Sequence, residues 1–242
     1  GLLSKDYATR RRSLIDPRRA SLEQRPGNPR TGAAMFQGED TFAARNWGSG
    51  TVYVTVVDKD RNMASFTPSG AWIPSSPVID GVGFPLGTRV QTFYLDPRHP
   101  NALVPGKRPR TTLTPTLVSR NGAPYMVFGT PGGDQQDQWT LQFFLNVVEF
   151  GMPIQDAIEV PRFSTAHFPS SFYPHNAVPG LLRVENRISA EVCEELAARG
   201  HKVEVKEGWS EGDVLGIRVD LERGVIHRGA DPRGEQSKRM PS

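Results

Sequence analysis

The residues that this chain lacks exclude several classes of protein. Its single cysteine, Cys193, excludes an internal disulfide and a zinc site built from cysteines, and its place in a helical pattern predicts a small core residue. No run of about 18 apolar residues occurs, so we expect no membrane span. The five histidines have no metal-binding spacing, and the motifs GxxxxGK[ST], GxGxxG and GxSxG are absent, so we expect neither a metal nor another cofactor.

Net positive charge lies only in the first part of the chain. Residues 1–50 carry nine Lys and Arg against five Asp and Glu, a balance of +4, whereas residues 51–242 carry 20 against 21, a balance of −1. The excess comes from two arginine clusters, at residues 10–12 and 18–19, with few aromatic residues nearby. Such clusters are typical of a solvated helix face or of a face that meets further chain, so we expect no nucleic-acid binding.

The rest of the chain is organised around a predicted β-hairpin, with strands in residues 51–58 and 62–68 and the charged turn Lys59-Asp60-Arg61 between them. Valines alternate with threonine and tyrosine in the first segment, which is the period of two expected of a half-buried strand. Gly50-Thr51 stands at the entry to this strand. A cut between these two residues would leave a threonine with a hydroxyl nucleophile and a free amine as its base. The alternative is a threonine that merely suits a strand.

A second hairpin is predicted over residues 114–119 and 124–130, because Asn121-Gly122 between them is a strong turn signal. Its second strand runs into Pro131-Gly132-Gly133 and then into a helix, for which Asp134 is the expected cap. Backbone N–H groups at such a helix start have no helical partner and can hold an oxyanion, although a tight turn is the alternative.

The remaining elements follow from hydrophobic spacing and from turn residues. Apolar residues recur at helical spacing until Gly151, namely Trp139, Phe143, Val147 and Phe150. Further helices are predicted over residues 2–22 with a break at Pro17, 154–159 and 189–199, and further strands over residues 89–95, 181–185, 202–206, 214–220 and 224–228. Strand pairs followed by helices indicate an α+β fold of packed layers.

Four segments, in order, resemble the γ-glutamyltranspeptidase family of N-terminal-nucleophile (Ntn) hydrolases. They are Thr-Val-Tyr-Val-Thr-Val-Val-Asp-Lys-Asp at 51–60, Pro-Gly-Lys-Arg-Pro-Arg-Thr-Thr-Leu-Thr-Pro at 105–115, Gly-Thr-Pro-Gly-Gly at 129–133 and Ala-Ile-Glu-Val-Pro-Arg-Phe at 157–163. The resemblance implies the αββα sandwich of these enzymes. It also implies that residues 1–50 are the tail of a large subunit and that residues 51–242 are a small-subunit-like catalytic domain. Family precursors are longer, so we expect the sandwich to be incomplete without an upstream segment.

The same resemblance assigns roles to individual residues. Thr51 would attack the Gly50 carbonyl to cut the chain, and would then attack a substrate amide. Ser69 matches the second hydroxyl, which hydrogen-bonds the nucleophile, and Gly132 and Gly133 match the oxyanion hole. The pair Thr111 and Thr112 matches two serines that hold a substrate carboxylate, and we expect Arg89 and Thr92 to bind the substrate as well. The alternatives are that Ser69 is a turn serine after Pro68, and that the two threonines simply begin a strand before Leu113.

Two departures from the family pattern concern substrate recognition. Residues 87–93 stand where relatives carry an acidic stretch like Asn-Asn-Gln-Met-Asp-Asp-Phe, so Thr92 replaces the carboxylate that holds an α-ammonium, and Arg89 adds a positive charge. Ala71 replaces a common asparagine. We therefore hypothesise that Arg89 favours an acyl group with a carboxylate and no ammonium, such as glutaryl.

The predicted function is an amidohydrolase or acyltransferase that acts on γ-glutamyl or related amides, such as glutathione. The expected partner is a large-subunit segment or a second copy of the chain. The resemblance implies a periplasmic or extracellular location, with the cytoplasm as the alternative. A different class stays open, namely a truncated, inactive relative that serves as a structural or binding protein.

Overall fold

A computed structural model describes residues 1–30, 50–70 and 76–234. The described strands and helices follow one another as α1 (Lys5–Arg12), β1 (Val54–Val57), β2 (Met63–Phe66), β3 (Thr116–Arg120), β4 (Ala123–Gly129), α2 (Gln136–Val148), α3 (Ile154–Glu159), β5 (Phe163–Thr165), β6 (Leu181–Glu185), α4 (Ala190–Ala198), β7 (Lys202–Lys206), β8 (Leu215–Asp220) and β9 (Val225–Ala230). The mixed helix and strand content confirms the α+β class.

An antiparallel sheet with the strand order β3-β4-β8-β9 forms the centre of the fold. The β3–β4 turn has positive φ at Asn121 (52°) and Gly122 (79°), as the Asn-Gly signal predicts. Along β4 the side chains of Met126 and Phe128 enter one buried cluster, and Val127 is buried on the opposite face. Both faces of β4 are therefore covered by other elements.

Helices α2 and α3 cover the first face of this sheet. Phe143 of α2 and Ile158 of α3 are fully buried, and each such side chain contributes about 2 kcal/mol relative to exposure. Gly216 and Gly229 pair across β8 and β9, and a Cβ at Gly216 would lie 2.9 Å from the Phe143 ring. Glycine at these positions lets the helices approach the sheet backbone closely.

The β1–β2 hairpin packs on the second face. Tyr53 is buried, and its ring lies directly against the Gly129 backbone, where no Cβ would fit. The side chains on the other face of this hairpin point outward. Four of them are apolar and exposed: Val52, Val54, Val56 and Phe66. The hairpin is thus anchored through a tyrosine and leaves an apolar outer face.

A smaller sheet, β5-β6-β7, is joined to the central sheet by buried charges. Arg233, just after β9, donates to the Glu185 carboxylate of β6 at 2.7 and 2.9 Å and to Asp231 at 2.9 Å. Burial alone would raise the pKa of Glu185, but hydrogen bonds from Arg233, from the Glu211 N–H and from Arg187 outweigh it and lower the pKa to about 2. These ion pairs hold the two sheets together.

The first residues contact the smaller sheet and its helix. The Ala20 N–H donates to the Arg199 carbonyl at 2.7 Å, the Arg199 guanidinium donates to the Pro17 carbonyl at 2.7 Å, and Leu22 lies against Gly180. Residues 31–49 and 235–242 and the departure at Ala71 lie outside the described residues, so most of the loop expected between residues 26 and 50 lies outside them too.

Several local predictions are wrong, each for a physical reason. Residues 88–92 form a turn of 3-10 helix instead of a strand, because the Thr92 hydroxyl donates back to the Arg89 carbonyl at 2.8 Å. Helix α1 ends at Arg12, well before Leu22, since it buries no residue. Cys193 is only partly buried on α4, which has no buried residue. No helix in the described ranges is both long and apolar enough to cross a bilayer.

Candidate active site

Two hydroxyl groups meet at the open end of the β1–β2 hairpin. The register pairs Val54 with Phe66, and three more steps along it place Thr51 opposite Ser69, where the two residues form an isolated antiparallel bridge. The Thr51 Oγ1 and Ser69 Oγ atoms are 2.6 Å apart, a short hydroxyl–hydroxyl hydrogen bond. The hairpin register therefore brings together the two hydroxyl residues that the sequence singled out.

Tyr53 fixes the position of this pair relative to the central sheet. Its hydroxyl lies 2.9 Å from the Ser65 hydroxyl, and burial raises the pKa of Tyr53 above its usual value. Its ring rests on Gly129, the last residue of β4 and three residues before Gly132. The contact thus connects the strand that begins at Thr51 to the strand that leads into the glycine turn.

The turn at Gly132 and Gly133 has backbone angles that suit glycine, with φ of 131° and 58°. The Trp139 ring lies against the Gly132 Cα, so a Cβ there would overlap it. On its other side this ring contacts Gly212, and its Nε1–H donates to the buried Glu211 carboxylate at 3.2 Å. Burial raises the pKa of Glu211. The rigid indole of Trp139 therefore packs directly against the glycine turn.

The buried Gln136 side chain contacts the same turn. With its amide nitrogen directed at the Thr130 carbonyl (3.1 Å), its oxygen accepts from the Gly133 N–H at 3.2 Å. The reverse orientation offers the oxygen only a 3.4 Å contact from the Thr114 N–H. The first orientation satisfies more groups, and in it an oxyanion at Gly133 would compete with Gln136 for that N–H.

Asp134 does not cap α2 as expected, because its carboxylate is used elsewhere. It accepts from the Ser171 N–H at 2.9 Å, from the Ser171 hydroxyl, and from the Ser170 hydroxyl at 3.1 Å. Helix α2 begins at Gln136, without a side-chain cap bond from Gln135. The carboxylate ties the glycine turn to the loop at residues 166–178.

Phe172, in that loop, lies between the glycine turn and Arg89. A Cβ at Gly133 would be 3.7 Å from the Phe172 ring, and the Arg89 guanidinium carbon is 5.4 Å from the centre of the same ring. Arg89 also contacts Gly70, the residue after Ser69. The contacts thus run from the hydroxyl pair through Arg89 and Phe172 to the glycine turn.

The three predicted threonines are placed differently from one another. The single hydrogen of the buried Thr92 hydroxyl is shared between the Arg89 carbonyl at 2.8 Å and the Arg110 carbonyl at 3.3 Å, so this hydroxyl binds the backbone. Thr111 is exposed, and its hydroxyl accepts from the Leu113 N–H at 3.1 Å. The Thr112 hydroxyl is buried and has no hydrogen-bond partner among the described residues, so it has a hydrogen bond to offer.

Asp213 is a titratable group near the turn that sequence reasoning missed. Its N–H donates to the Thr130 hydroxyl at 3.2 Å. Burial, and then the charge of Asp231, raise the pKa of Asp213 to about 6.

Sequence reasoning also missed the contacts that Gln136, Trp139 and Phe172 make with the glycine turn, because nothing in their local sequence indicates such contacts. Among the described residues, no group of three His, Cys, Asp or Glu side chains could hold a metal.

The fold matches solved γ-glutamyltranspeptidase structures, which are Ntn hydrolases. Residues 1–240 match the family model described as Gamma-glutamyltranspeptidase, and the chain belongs to this family. The resemblance drawn from the four sequence segments is therefore confirmed. Family members are heterodimers of a large and a small subunit.

Individual relatives show how much of the family protein this chain represents. It is 36% identical over 195 residues to the glutathione hydrolase-like YwrD proenzyme of Bacillus subtilis (strain 168), covering 79% of this chain and 36% of that protein. It is 30% identical over 235 residues to the oxamate amidohydrolase proenzyme of Klebsiella pneumoniae subsp. pneumoniae, covering 94% and 43%. The solved structure of LmbA2991HD matches with a TM-score of 0.86 and 44% identity, covering 96% and 42%. The chain thus spans about two-fifths of the length of these proteins.

Proposed function

We propose that the protein is an N-terminal threonine hydrolase that cuts its own chain between Gly50 and Thr51. The Thr51 hydroxyl would attack the Gly50 carbonyl carbon, and the C–N bond would break as the proton moves to nitrogen. Water would then hydrolyse the resulting ester. The products are a chain ending in the Gly50 carboxylate and a chain beginning with the Thr51 amine. The 2.6 Å contact between Thr51 and Ser69 is the observation that carries this proposal, because it holds the attacking oxygen in place.

The same hydroxyl would then attack a substrate amide. The freed α-amine ordinarily titrates near pH 8, so it can accept the hydroxyl proton and pass it to the leaving amine. The acyl group would stay on Thr51 as an ester until water or an acceptor amine removes it. Gly132 supplies an N–H at the turn for the oxyanion, and Gly133 supplies a second one if Gln136 releases it.

We assign the acyl donors to γ-glutamyl amides or to related glutaryl-like amides. The names of two relatives, a glutathione hydrolase-like proenzyme and an oxamate amidohydrolase proenzyme, support an amide substrate with a carboxylate. By the family resemblance Thr111 and Thr112 would hydrogen-bond the acyl donor, and the Thr112 hydroxyl, which has no partner among the described residues, is suited to this role. Thr92 would contribute indirectly, because its hydroxyl donates to the Arg89 carbonyl and so fixes the 3-10 turn that carries Arg89.

We also propose that a large-subunit segment, or a second copy of the chain, completes an αββα sandwich. The exposed outer face of the hairpin, with Val54, Val56 and Phe66, would pack against the added layer. In this proposal residues 1–50 are the large-subunit tail and residues 51–242 are the catalytic domain.

Intact mass and N-terminal sequencing of the purified protein test the proposal. We expect fragments that end at Gly50 and begin at Thr51, with none in Thr51→Ala. Thr55→Ala, in the same hairpin, is the matched control and should cleave normally. A chain that stays whole in every form would favour an inactive, binding relative instead. Equal amide turnover by Thr51→Ala and the parent would end the proposal.

A further inference from the structure

A cationic side chain lies beside the Thr51–Ser69 pair. The position that a Gly70 Cβ would occupy is 3.0 Å from the Arg89 Nε and 3.3 Å from its Cζ. Gly70 directly follows Ser69, whose hydroxyl is 2.6 Å from that of Thr51. The guanidinium is therefore packed against the backbone next to the proposed nucleophile.

Among the residues that the structure describes, this guanidinium has no anion to balance it. One of its terminal nitrogens, Nη2, is shielded from solvent and has no hydrogen-bond partner in the part of the chain that the structure describes. Within residues 1–30, 50–70 and 76–234, no carboxylate forms an ion pair with Arg89. Burial lowers the pKa of Arg89, although a guanidinium stays charged at neutral pH. A shielded, charged donor without an acceptor is costly, so the site favours an anion from outside the chain.

The surroundings direct that anion toward the reacting groups. The Phe172 ring lies 5.4 Å from the Arg89 guanidinium carbon and supplies an aromatic face but no acceptor. Phe172 is also next to Gly133, in the glycine turn. A carboxylate bound to Arg89 would thus lie near Gly70, which follows Ser69, and near Phe172, which contacts that turn.

We propose that Arg89 and Phe172 form an anion subsite that binds the free carboxylate of the acyl donor and rejects an α-ammonium. The acyl donor is then the monoamide of a dicarboxylic acid, with no amino group on the acyl chain. This inference rests on the proposed function, because it concerns the acyl group that Thr51 would receive. Rejection of the ammonium follows from its like charge, placed next to an unscreened guanidinium.

Binding measurements without turnover test the subsite directly. Titration calorimetry at constant ionic strength should show that glutarate binds the native protein more tightly than L-glutamate, which differs by its ammonium. Arg89→Gln should weaken glutarate binding at least about tenfold, since it removes a charge-assisted hydrogen bond. Arg89→Lys should bind with intermediate affinity. Arg223→Gln, an exposed arginine in the β8–β9 turn, is the matched control and should bind like the parent.

Turnover separates failure of the subsite from failure of the proposed function. The native protein should hydrolyse glutaryl-p-nitroanilide at least about tenfold faster, in kcat/KM, than γ-glutamyl-p-nitroanilide. Preference for the γ-glutamyl compound would overturn the subsite while leaving the hydrolase proposal intact. A third outcome is that glutarate binding depends on Arg89 but neither compound is hydrolysed. This outcome would support the subsite and overturn the hydrolase proposal. Unchanged glutarate binding in a folded Arg89→Gln would overturn the subsite. If that variant does not fold, the substrate preference of the native protein decides.

Discussion

The Arg162 guanidinium donates to the Asp231 carboxylate at 2.6 Å, and both side chains are almost completely buried. Arg162 also donates to the Ile158 and Glu211 carbonyls at 2.5 and 3.1 Å. Asp231 accepts from the Val214 N–H at 2.9 Å. The pair therefore joins the end of α3 to the strand ends beside the glycine turn, 69 residues apart along the chain.

Replacement of Asp231 by Asn should be strongly destabilising. It leaves the buried Arg162 charge without its carboxylate partner, and loss of one member of a buried pair costs about 3–5 kcal/mol. Urea unfolding measures the change in the free energy of unfolding. Asp220→Asn is the control, because Asp220 faces the exposed Arg223 at 4.0 Å and should change stability by about 1 kcal/mol or less. A similar loss in both variants would contradict the structural role assigned to Asp231.

Asp213 should make the folded state less stable as the pH rises. Burial, and then the charge of Asp231, raise the pKa of Asp213 from 3.8 to about 6, so the folded state holds this proton more tightly than the unfolded chain does. The favourable contribution is complete below about pH 3.8 and is lost as the pH rises through about 6. Asp213→Asn should therefore be more stable than the parent at pH 8, by on the order of 1–2 kcal/mol after allowance for partial exposure. Near pH 4 the two should be similar.

Unfolding by urea at pH 4 and at pH 8 measures this difference. The comparison of variant with parent at each pH cancels the titration of the other groups. Glu207→Gln, with a carboxylate outside the buried cluster, is a suitable control. A difference that does not change with pH would show that Asp213 titrates normally in the folded protein.

Gly132→Ala should damage both stability and turnover. The new Cβ would overlap the Trp139 ring, in a backbone conformation with φ of 131°. Overpacking of this kind costs about 1–3 kcal/mol, and displacement of an oxyanion donor lowers kcat by roughly a hundredfold to a thousandfold. Gly81→Ala is the control, because its φ is also positive (75°) and a Cβ there would meet nothing within 4 Å. Equal activity of the two variants would remove the glycine turn from the mechanism.

Ser69→Ala should slow both self-cleavage and amide turnover, while Ser65→Ala should mainly affect stability. The first removes the hydrogen bond to the Thr51 hydroxyl, and the second removes only the partner of Tyr53 at 2.9 Å. We expect a rate loss of about tenfold or more for Ser69→Ala, which corresponds to one hydrogen bond of about 1.4 kcal/mol or more. A cleavage time course by gel, followed by steady-state kinetics, compares the two. Identical rates in both variants would contradict the role of Ser69.

Local patterns in the sequence were sufficient to predict most of the regular elements. The period of two around Tyr53 predicted the hairpin, the Asn121-Gly122 turn predicted the β3–β4 connection, and the prediction for α3 agrees with the observed Ile154–Glu159. Each of these depends on residues within a few positions of one another. The strand predicted at residues 89–95 was wrong because Thr92 satisfied its hydroxyl locally and closed a helical turn.

The sequence by itself determined the hairpin, and its resemblance to the family singled out Thr51 and Ser69 as a hydroxyl pair. Once the two strands pair in the observed register, Thr51 lies opposite Ser69. Only the tertiary structure decided what surrounds that pair. Phe172 lies between Arg89 and Gly133, and Asp134 holds Ser171, 37 residues away. The physical reason is that these contacts depend on how the elements pack, and no local pattern reports which distant side chain will fill a given space.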